Sequence, residues 1–395
     1  MIPVGSCNIC NRFHVECIIE SGKFRVKVGF VGVFPEPMSA VGIGICHESD
    51  YIDTMTTKEP GLPNIEDVAS AAGVSTATVS RVLNRPQSVR EALRAQVLEA
   101  VARLGYVPHA GARALKLQRS GTVGAIFPTI DNAIFAQAID ALQQRLADAG
   151  LQLLIATCGY DVATESLQAT NLVTRGADAL ALCGVGQSRS LLQFLKQREL
   201  PTVHAMVYPP PAGLVCVGFD NARAIAQAVR YLLDLGHRRI AMLAGITCEN
   251  DRAAARVAGV RQALGQAGLA LAPQHLLERK YALADAREGF RALMCTSPAP
   301  TAVLCGNDVL AFGALLEAQA MGMEVPRQVS IVGFDDLEMA RHIQPALTTM
   351  HVPTKQMWHT VADRIIAALE KKPFQVATEV EVELVVRGST GPAPR

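Results

Sequence analysis

Residues 64–84, with the sequence NIEDVASAAGVSTATVSRVLN, constrain the fold of this chain more than any other stretch. Their pattern predicts two short helices joined by a tight turn. Asn64 can cap the first helix, and Asp67 at the third helical position can return the hydrogen bond in a capping box. Gly73 ends that helix, and Ser75 can cap a second one. The stretch therefore predicts a helix-turn-helix.

The second of these helices keeps a small, polar and basic face outward. A recognition helix lies in the major groove, where short side chains approach base edges and an arginine can fork onto guanine. Arg81 suits the guanine contact, and Thr76 and Ala77 suit close packing against bases and thymine methyl groups. Ser75, Thr78 and Ser80 suit hydrogen bonds to phosphates. The structural alternative is a plain helical hairpin whose Arg81 is solvated.

A third helix follows the first two. The run from Ser88 to Glu91 predicts a capping box, and apolar residues such as Leu93 and Val97 repeat behind it at helical spacing until Gly105. Three helices of this length give a core of only about fifty residues, which is marginal by itself. Residues 55–107 are therefore predicted to form an all-α DNA-binding headpiece.

The headpiece carries a resemblance to a known family. DVASAAGVSTATVSRVLN, followed by a helix and by GYVPHAGARALK, resembles the lac-repressor/GalR (LacI/GalR) family of bacterial transcription regulators. The resemblance runs from about Ile65 to the C-terminus. It implies a sequence-specific repressor that binds double-stranded operator DNA as a homodimer, on a pseudo-palindromic site.

The resemblance also implies a hinge helix within residues 108–120, which pairs with its twin from the second subunit and wedges a leucine into the minor groove. Leu115 stands at the matching position, with Arg113 and Lys116 beside it for groove and phosphate contacts. Gly111 inside the segment costs about 1 kcal/mol relative to alanine, so the helix needs outside support. An unstructured linker is the alternative.

From Gly121 onward, apolar strand-like runs alternate with helices, which predicts parallel sheets covered on both faces. The elements form two series, so residues 121–395 are expected to form two doubly wound α/β lobes. Lobe one takes about 121–220 and 351–380, and lobe two takes about 221–350 and 381–395. This body resembles the periplasmic sugar-binding proteins.

Ligands of open α/β sheets bind beyond the carboxyl ends of the strands. Asn132 and Phe135 follow the first strand of lobe one, and they combine a hydrogen-bonding amide with a flat apolar face for a sugar ring. The positions of the second lobe that match the family's ligand contacts are Arg256, Tyr281, Asn307 and Asp335. An arginine favours an acidic ligand such as a sugar acid and also serves a neutral hydroxylated ring.

These candidates have structural alternatives: Arg252 or Arg256 could pair with a neighbouring acid on a solvated face, and Asn307 and Asp335 could cap the helices that follow them. The sequence also departs from the family pattern. Many relatives have Asn-Pro-Phe-Phe where residues 132–135 read Asn-Ala-Ile-Phe. We therefore expect an effector other than the plain pentose or hexose of those relatives.

Residues 1–54 lie outside the resemblance and are expected to be a disordered tail or the product of a mis-assigned start, since Met55 opens a natural lead into the headpiece. Their C-x2-C-x3-H-x2-C run (Cys7, Cys10, His14, Cys17) lacks a usual structural zinc spacing, so no metal is predicted. The net charge of +1 says little by itself, but basic residues outnumber acidic ones between Lys58 and Lys116.

Motifs of other protein classes are missing. The sequence has no phosphate-binding P-loop, no dinucleotide fingerprint and no nucleophile elbow, so we predict neither a catalytic residue nor a cofactor. It shows no signal peptide and no membrane-spanning run, which predicts a cytoplasmic protein. Two rival functions stay open: a DNA-binding regulator whose body senses a protein partner, and a sugar-binding receptor without a regulatory role.

Overall fold

The computed structural model describes residues 13–20, 23–30, 62–107 and 119–394. The chain divides into two compact units, Met1–Pro63 and Asn64–Arg395. In the first unit, strands β1 (Phe13–Glu20) and β2 (Lys23–Phe30) pair antiparallel. Two paired strands thus stand in the segment for which a disordered tail was one expectation. The mis-assigned start stays a prediction, which mass spectrometry of the native N-terminus tests.

The headpiece contains helices α1 (Ile65–Ala71), α2 (Thr76–Asn84) and α3 (Glu91–Leu104). The predicted capping box of α1 is present. Asn64 Oδ1 accepts from the backbone N–H groups of Glu66 and Asp67 at 2.7 and 3.1 Å, and Asp67 Oδ2 accepts from the backbone N–H of Asn64 at 2.8 Å. The three helices bury a small apolar cluster of Val68, Ala69, Ala72, Val79, Val82, Val97, Ala100 and Tyr106.

The predicted capping box of α3 is wrong. Ser88 belongs to a 3-10 turn, Pro86–Ser88, and its hydroxyl donates to the carbonyl of Arg85 at 2.7 Å. Helix α3 begins only at Glu91, after an Arg90 that makes no side-chain cap. The serine is therefore used to close the turn before the helix and cannot also cap it.

Removal of the first cap gives a test of headpiece stability. We expect Asn64→Ala to destabilise α1 by about 1 kcal/mol, because two backbone donors lose their acceptor. Hydrogen exchange of the amides in residues 65–71 should accelerate about fivefold. Asn171→Ala, at an exposed helical position of the body, should leave that exchange unchanged, and equal rates in the Asn64 variant and the parent would contradict the cap's contribution.

One sheet of the body contains β3 (Thr122–Phe127), β4 (Gln152–Thr157), β5 (Ala179–Cys183), β6 (Thr202–Ala205), β7 (Val215–Gly218) and β13 (Ala377–Glu379). Its order is β13-β7-β6-β5-β3-β4, with every pair parallel. Its helices are α4 (Ala133–Asp148), α5 (Val162–Thr174), α6 (Arg189–Gln197) and α12 (Thr354–Leu369). We call this part lobe one.

Lobe two contains β8 (Ile240–Gly245), β9 (Leu276–Arg279), β10 (Ala302–Cys305), β11 (Ser330–Asp335), β12 (Thr348–His351) and β14 (Glu383–Val385). Its order is β14-β12-β11-β10-β8-β9. Strand β14 pairs antiparallel with β12, and the other pairs are parallel. Its helices are α7 (Asn221–Asp234), α8 (Asp251–Gln266), α9 (Leu283–Met294), α10 (Asp308–Ala320) and α11 (Met339–His342).

The chain passes between the lobes at residues 219–220, 352–353 and 380–382, within the continuous described range 119–394. Three neighbouring crossovers between two lobes are suited to act as a hinge.

Strand β4 differs from the expectation that the strands are apolar and buried throughout. It lies at the sheet edge, and its Leu154 and Ile155 are 38% and 42% exposed. Among the described residues, no helix combines the length and the apolar character that crossing a bilayer requires.

Candidate effector site and nucleic-acid interface

The proposed recognition face of α2 is presented outward. Ser75, Thr76, Ala77 and Arg81 are exposed, and Thr78 and Ser80 are half-buried. Val79 and Val82 point into the headpiece core. Ser75 is the N-cap of α2: its hydroxyl accepts from the backbone N–H of Thr78 at 3.2 Å and bonds the Thr78 hydroxyl at 3.0 Å. The predicted hinge contacts Arg113, Leu115 and Lys116 lie outside the described residues, so they remain predictions.

The six candidate effector contacts line one cleft between the lobes, at the carboxyl ends of the strands. They are Asn132, Phe135, Arg256, Tyr281, Asn307 and Asp335. Asn132 is the N-cap of α4, where its Oδ1 accepts from the backbone N–H of Ile134 at 3.4 Å. Phe135 lies in the first turn of the same helix and is buried. The start of α4 thus places both candidate contacts of lobe one in the cleft.

Arg256 is held by groups of lobe two, one of which also reaches lobe one. Its Nε donates to Asn221 Oδ1 at 2.9 Å, its Nη1 donates to the carbonyl of Gly306, and its guanidinium lies 4.1 Å from the ring centroid of Phe334. Asn221 in turn donates to the carbonyl of Met206 in lobe one at 3.0 Å. Arg256 makes no ion pair within 4.0 Å among the described residues, so the ion-pair alternative is wrong for Arg256, whereas Arg252 does pair with Asp251 at 3.1 Å.

The two remaining polar candidates of lobe two differ in their helical role. Asn307 does cap α10: its Oδ1 accepts from the backbone N–H of Leu310 at 3.0 Å, so a ligand would meet its amide nitrogen. Asp335 does not cap the turn near Leu337, whose N–H donates to Asp308 instead, at 2.7 Å. Burial raises the pKa of Asp335 to about 8, with Asp308 adding to the rise and the Arg256 charge opposing it. Near neutral pH this carboxyl is thus mostly protonated, and it can donate a hydrogen bond as well as accept one.

The lobes are closed on each other in this structure. Glu249 Oε2 of lobe two accepts from the backbone N–H of Val162 in lobe one at 3.0 Å, and Asp251 Oδ2 accepts from that of Val185 at 2.9 Å. The rings of Tyr160 and Tyr281 meet across the cleft with centroids 5.8 Å apart. The cavity left between the candidate residues measures about 30 Å³, far less than the few hundred Å³ that a small-molecule pocket requires. A sugar therefore requires the lobes to open.

Comparisons with known proteins match both parts of the chain. A family model described as "Bacterial regulatory proteins, lacI family" matches residues 64–109, and a "Periplasmic binding protein-like domain" matches residues 229–390. The HTH-type transcriptional repressor CytR of Escherichia coli K12 is 32% identical over 343 residues, which cover 85% of this chain and 99% of CytR. The chain belongs to the lacI family.

Other relatives of this lacI-family protein support the same assignment. The repressor PurR of Salmonella paratyphi B is 31% identical over 84% of this chain and 98% of its own length. The lac repressor dimer bound to operator and the anti-inducer ONPF is 25% identical with a TM-score of 0.75, and a CelR–cellobiose complex is 28% identical with a TM-score of 0.62. Each of these two solved structures covers 83% of this chain. The protein is a DNA-binding transcriptional regulator with an α/β body of the periplasmic-binding-protein kind.

Three further polar side chains of this lacI-family protein line the same cleft and were not among the predicted effector contacts: Tyr160, Asn250 and Arg252. Tyr160 follows β4, so its place beyond a strand end was an available signal. Arg252 lies one helical turn before Arg256 on α8, which puts both guanidinium groups on one face. Arg252 is only 7% exposed. The sequence could not predict this burial, because alanine residues lie on every face of the helix.

The raised pKa of Asp335 makes stability depend on pH. The folded-state pKa of about 8 lies above the ordinary aspartate pKa of 3.8, so between these pH values the folded protein holds a proton that the unfolded chain does not. Stability from this group is therefore lost as the pH rises through that window. Asparagine resembles the neutral acid, so we expect Asp335→Asn to raise the melting temperature by about 3 °C more at pH 8.5 than at pH 5. Equal shifts at both pH values, in thermal denaturation, would contradict this.

Proposed function

We propose that this protein is a repressor whose affinity for operator DNA is switched by a small carbohydrate-like effector, a sugar or a sugar acid, bound between the two lobes. The observation that carries the proposal is that Asn132, Phe135, Arg256, Tyr281, Asn307 and Asp335 line one cleft. They supply a flat apolar face, two amides, a guanidinium and a mostly neutral carboxyl, which is the mixture that a polyhydroxylated ring requires. The CelR relative, described in complex with cellobiose, supports this ligand class.

On the DNA side, we assign base readout to Arg81, Thr76 and Ala77, and phosphate contacts to Ser75, Thr78 and Ser80. In the hinge, Leu115 wedges the minor groove, flanked by Arg113 and Lys116. A two-fold homodimer places two such headpieces on the half-sites of a pseudo-palindromic operator. The lac repressor relative, described as a dimer bound to operator, supports that arrangement. Such a regulator acts in the cytoplasm and needs neither a catalytic residue nor a cofactor.

The closed cleft suggests how the two sites are coupled. Opening must break the backbone contacts that Glu249 and Asp251 make with lobe one, and it moves lobe one relative to lobe two about the crossovers. In the dimer this changes the distance between the paired hinge segments and so the stability of the hinge helix. Effector and operator affinities must then change each other by the same factor.

The proposal is tested by titrating the full-length protein with neutral sugars and sugar acids by calorimetry, and by measuring operator affinity with and without each compound at fixed salt. Flanking non-coding DNA supplies the operator candidates. We expect at least one compound to bind and to change operator affinity at least fivefold. Specific DNA binding with no response to any compound would favour a protein partner as the signal. Sugar binding with no preference for any duplex over random DNA would indicate a receptor.

A further inference from the structure

A second small chamber adjoins the effector cleft. It is lined by residues beyond the carboxyl ends of β3, β4 and β5, and by the start of α8. Tyr160 and Arg252 line both spaces and separate them. The second chamber measures about 20 Å³ in the closed structure, and it lies between the same two lobes. Residues of both lobes line both chambers, so we expect opening of the lobes to enlarge the two together.

Two polar side chains of lobe one are buried in this chamber, and one is incompletely satisfied. Glu165 and Gln187 are 7% and 8% exposed. Gln187 Nε2 donates to Glu165 Oε1 at 3.0 Å, whereas Gln187 Oε1 has no partner among the described residues. Reversal of the amide would leave the nitrogen unpartnered instead. A buried polar group without a partner costs about 1–3 kcal/mol, so a ligand that completes the amide regains stability.

Arg252 supplies further unused hydrogen-bonding capacity. Its guanidinium carries five N–H groups, and its acceptor among residues 119–394 is Asp251 Oδ1 at 3.1 Å. Unlike Arg256, it is neither stacked on a ring nor bonded to a backbone carbonyl in that range. Asp251 and Glu165 place carboxyl groups beside it, which disfavours a second anion in this chamber. A neutral group that both donates and accepts hydrogen bonds fits these partners.

We propose that Glu165, Gln187 and Arg252 form a second carbohydrate subsite, which binds a second, neutral hydroxylated ring of the effector. The effector is then a disaccharide or a glycoside of similar size, with its first ring at Phe135 and Arg256. Sugar hydroxyls donate and accept, so they match an amide, a carboxyl and a guanidinium at once. Tyr160, between the two chambers, supplies a flat face to the linked rings. This inference rests on the proposed function.

The test compares matched pairs of compounds by calorimetry on the full-length protein: glucose with cellobiose and maltose, and galactose with lactose. We expect one disaccharide to bind at least about tenfold more tightly than its monosaccharide. Gln187→Met keeps the side-chain length and removes both polar atoms. It should weaken that disaccharide about fivefold to tenfold and change its monosaccharide less than twofold. Gln197→Met, at an exposed position of α6, should change neither.

Failure of this inference is distinct from failure of the proposed function. A monosaccharide that binds as tightly as its disaccharide, with neither affinity changed by Gln187→Met, would overturn the second subsite and leave the effector cleft in place. Binding of no carbohydrate at all would overturn both. If circular dichroism shows that Gln187→Met does not fold, Glu165→Gln replaces it, with the same loss expected for the disaccharide alone.

Discussion

Replacing Arg256 by methionine is expected to reduce effector affinity at least about a hundredfold, because charge-assisted hydrogen bonds contribute about 1.5–3 kcal/mol each. The guanidinium is already oriented by Asn221, Gly306 and Phe334. Little conformational entropy is therefore lost when a ligand binds to it. Loss of the guanidinium also removes a positive charge that lowers the pKa of Asp335. Calorimetry with the compound identified for the parent protein measures the effect.

The matched control for Arg256 is Arg261→Met on the same helix, where the side chain is exposed. That variant should keep effector affinity within twofold. Thermal denaturation of both variants separates a binding defect from unfolding, since removal of a buried group also destabilises the fold. An Arg256 variant that melts as the parent does and binds the effector equally well would remove Arg256 from the site.

Arg81→Ala is expected to weaken specific operator binding by about 1–3 kcal/mol, because an arginine forked onto guanine discriminates by that amount. Fluorescence anisotropy at fixed salt measures it, with the operator and a random duplex titrated in parallel. The random duplex should lose far less affinity, since it offers Arg81 only phosphates. Relaxed preference at one base position of the operator is the expected signature.

Arg90→Ala is the charge-matched control for the headpiece. Arg90 is exposed and lies before α3, outside the recognition helix. Its loss should weaken operator and random duplex by similar factors, because it removes only a general attraction to DNA. If Arg81→Ala behaves in the same way, α2 does not read bases through that residue.

Sequence patterns predicted local structure well where the interacting residues lie close together in the chain. The Asn64 cap, the Ser75 cap and the helix end at Gly105 each depend on residues within about four positions. The strands that escaped prediction are short: β7, β12 and β13 contain only three or four residues each. Runs of that length are too short to show a clear alternation of apolar and polar residues. Their pairing, as between Cys216 and Ala377, joins distant parts of the chain.

The six effector candidates came from strand ends and from the family resemblance, and the structure brings all of them to one cleft. Arg252, which was considered only as an ion-pair partner, and the Glu165–Gln187 pair were not predicted as residues of this region, for a different reason. Nothing in the sequence around Gln187 marks it as buried, and its partner Glu165 is 22 residues away. Burial and partner together give these residues their chemistry, and both are properties of the packed lobes.

The amino-acid sequence alone determined that a helix-turn-helix headpiece precedes an α/β body, and that the chain resembles the lac-repressor family, because caps, helical periods and motifs are local patterns. Only the tertiary structure decided that the lobes are closed, through the contact of Glu249 with Val162, 87 residues away. It alone also decided that Asp335 is mostly protonated near neutral pH. Both depend on which surfaces exclude water from each other, and that is set when distant segments pack.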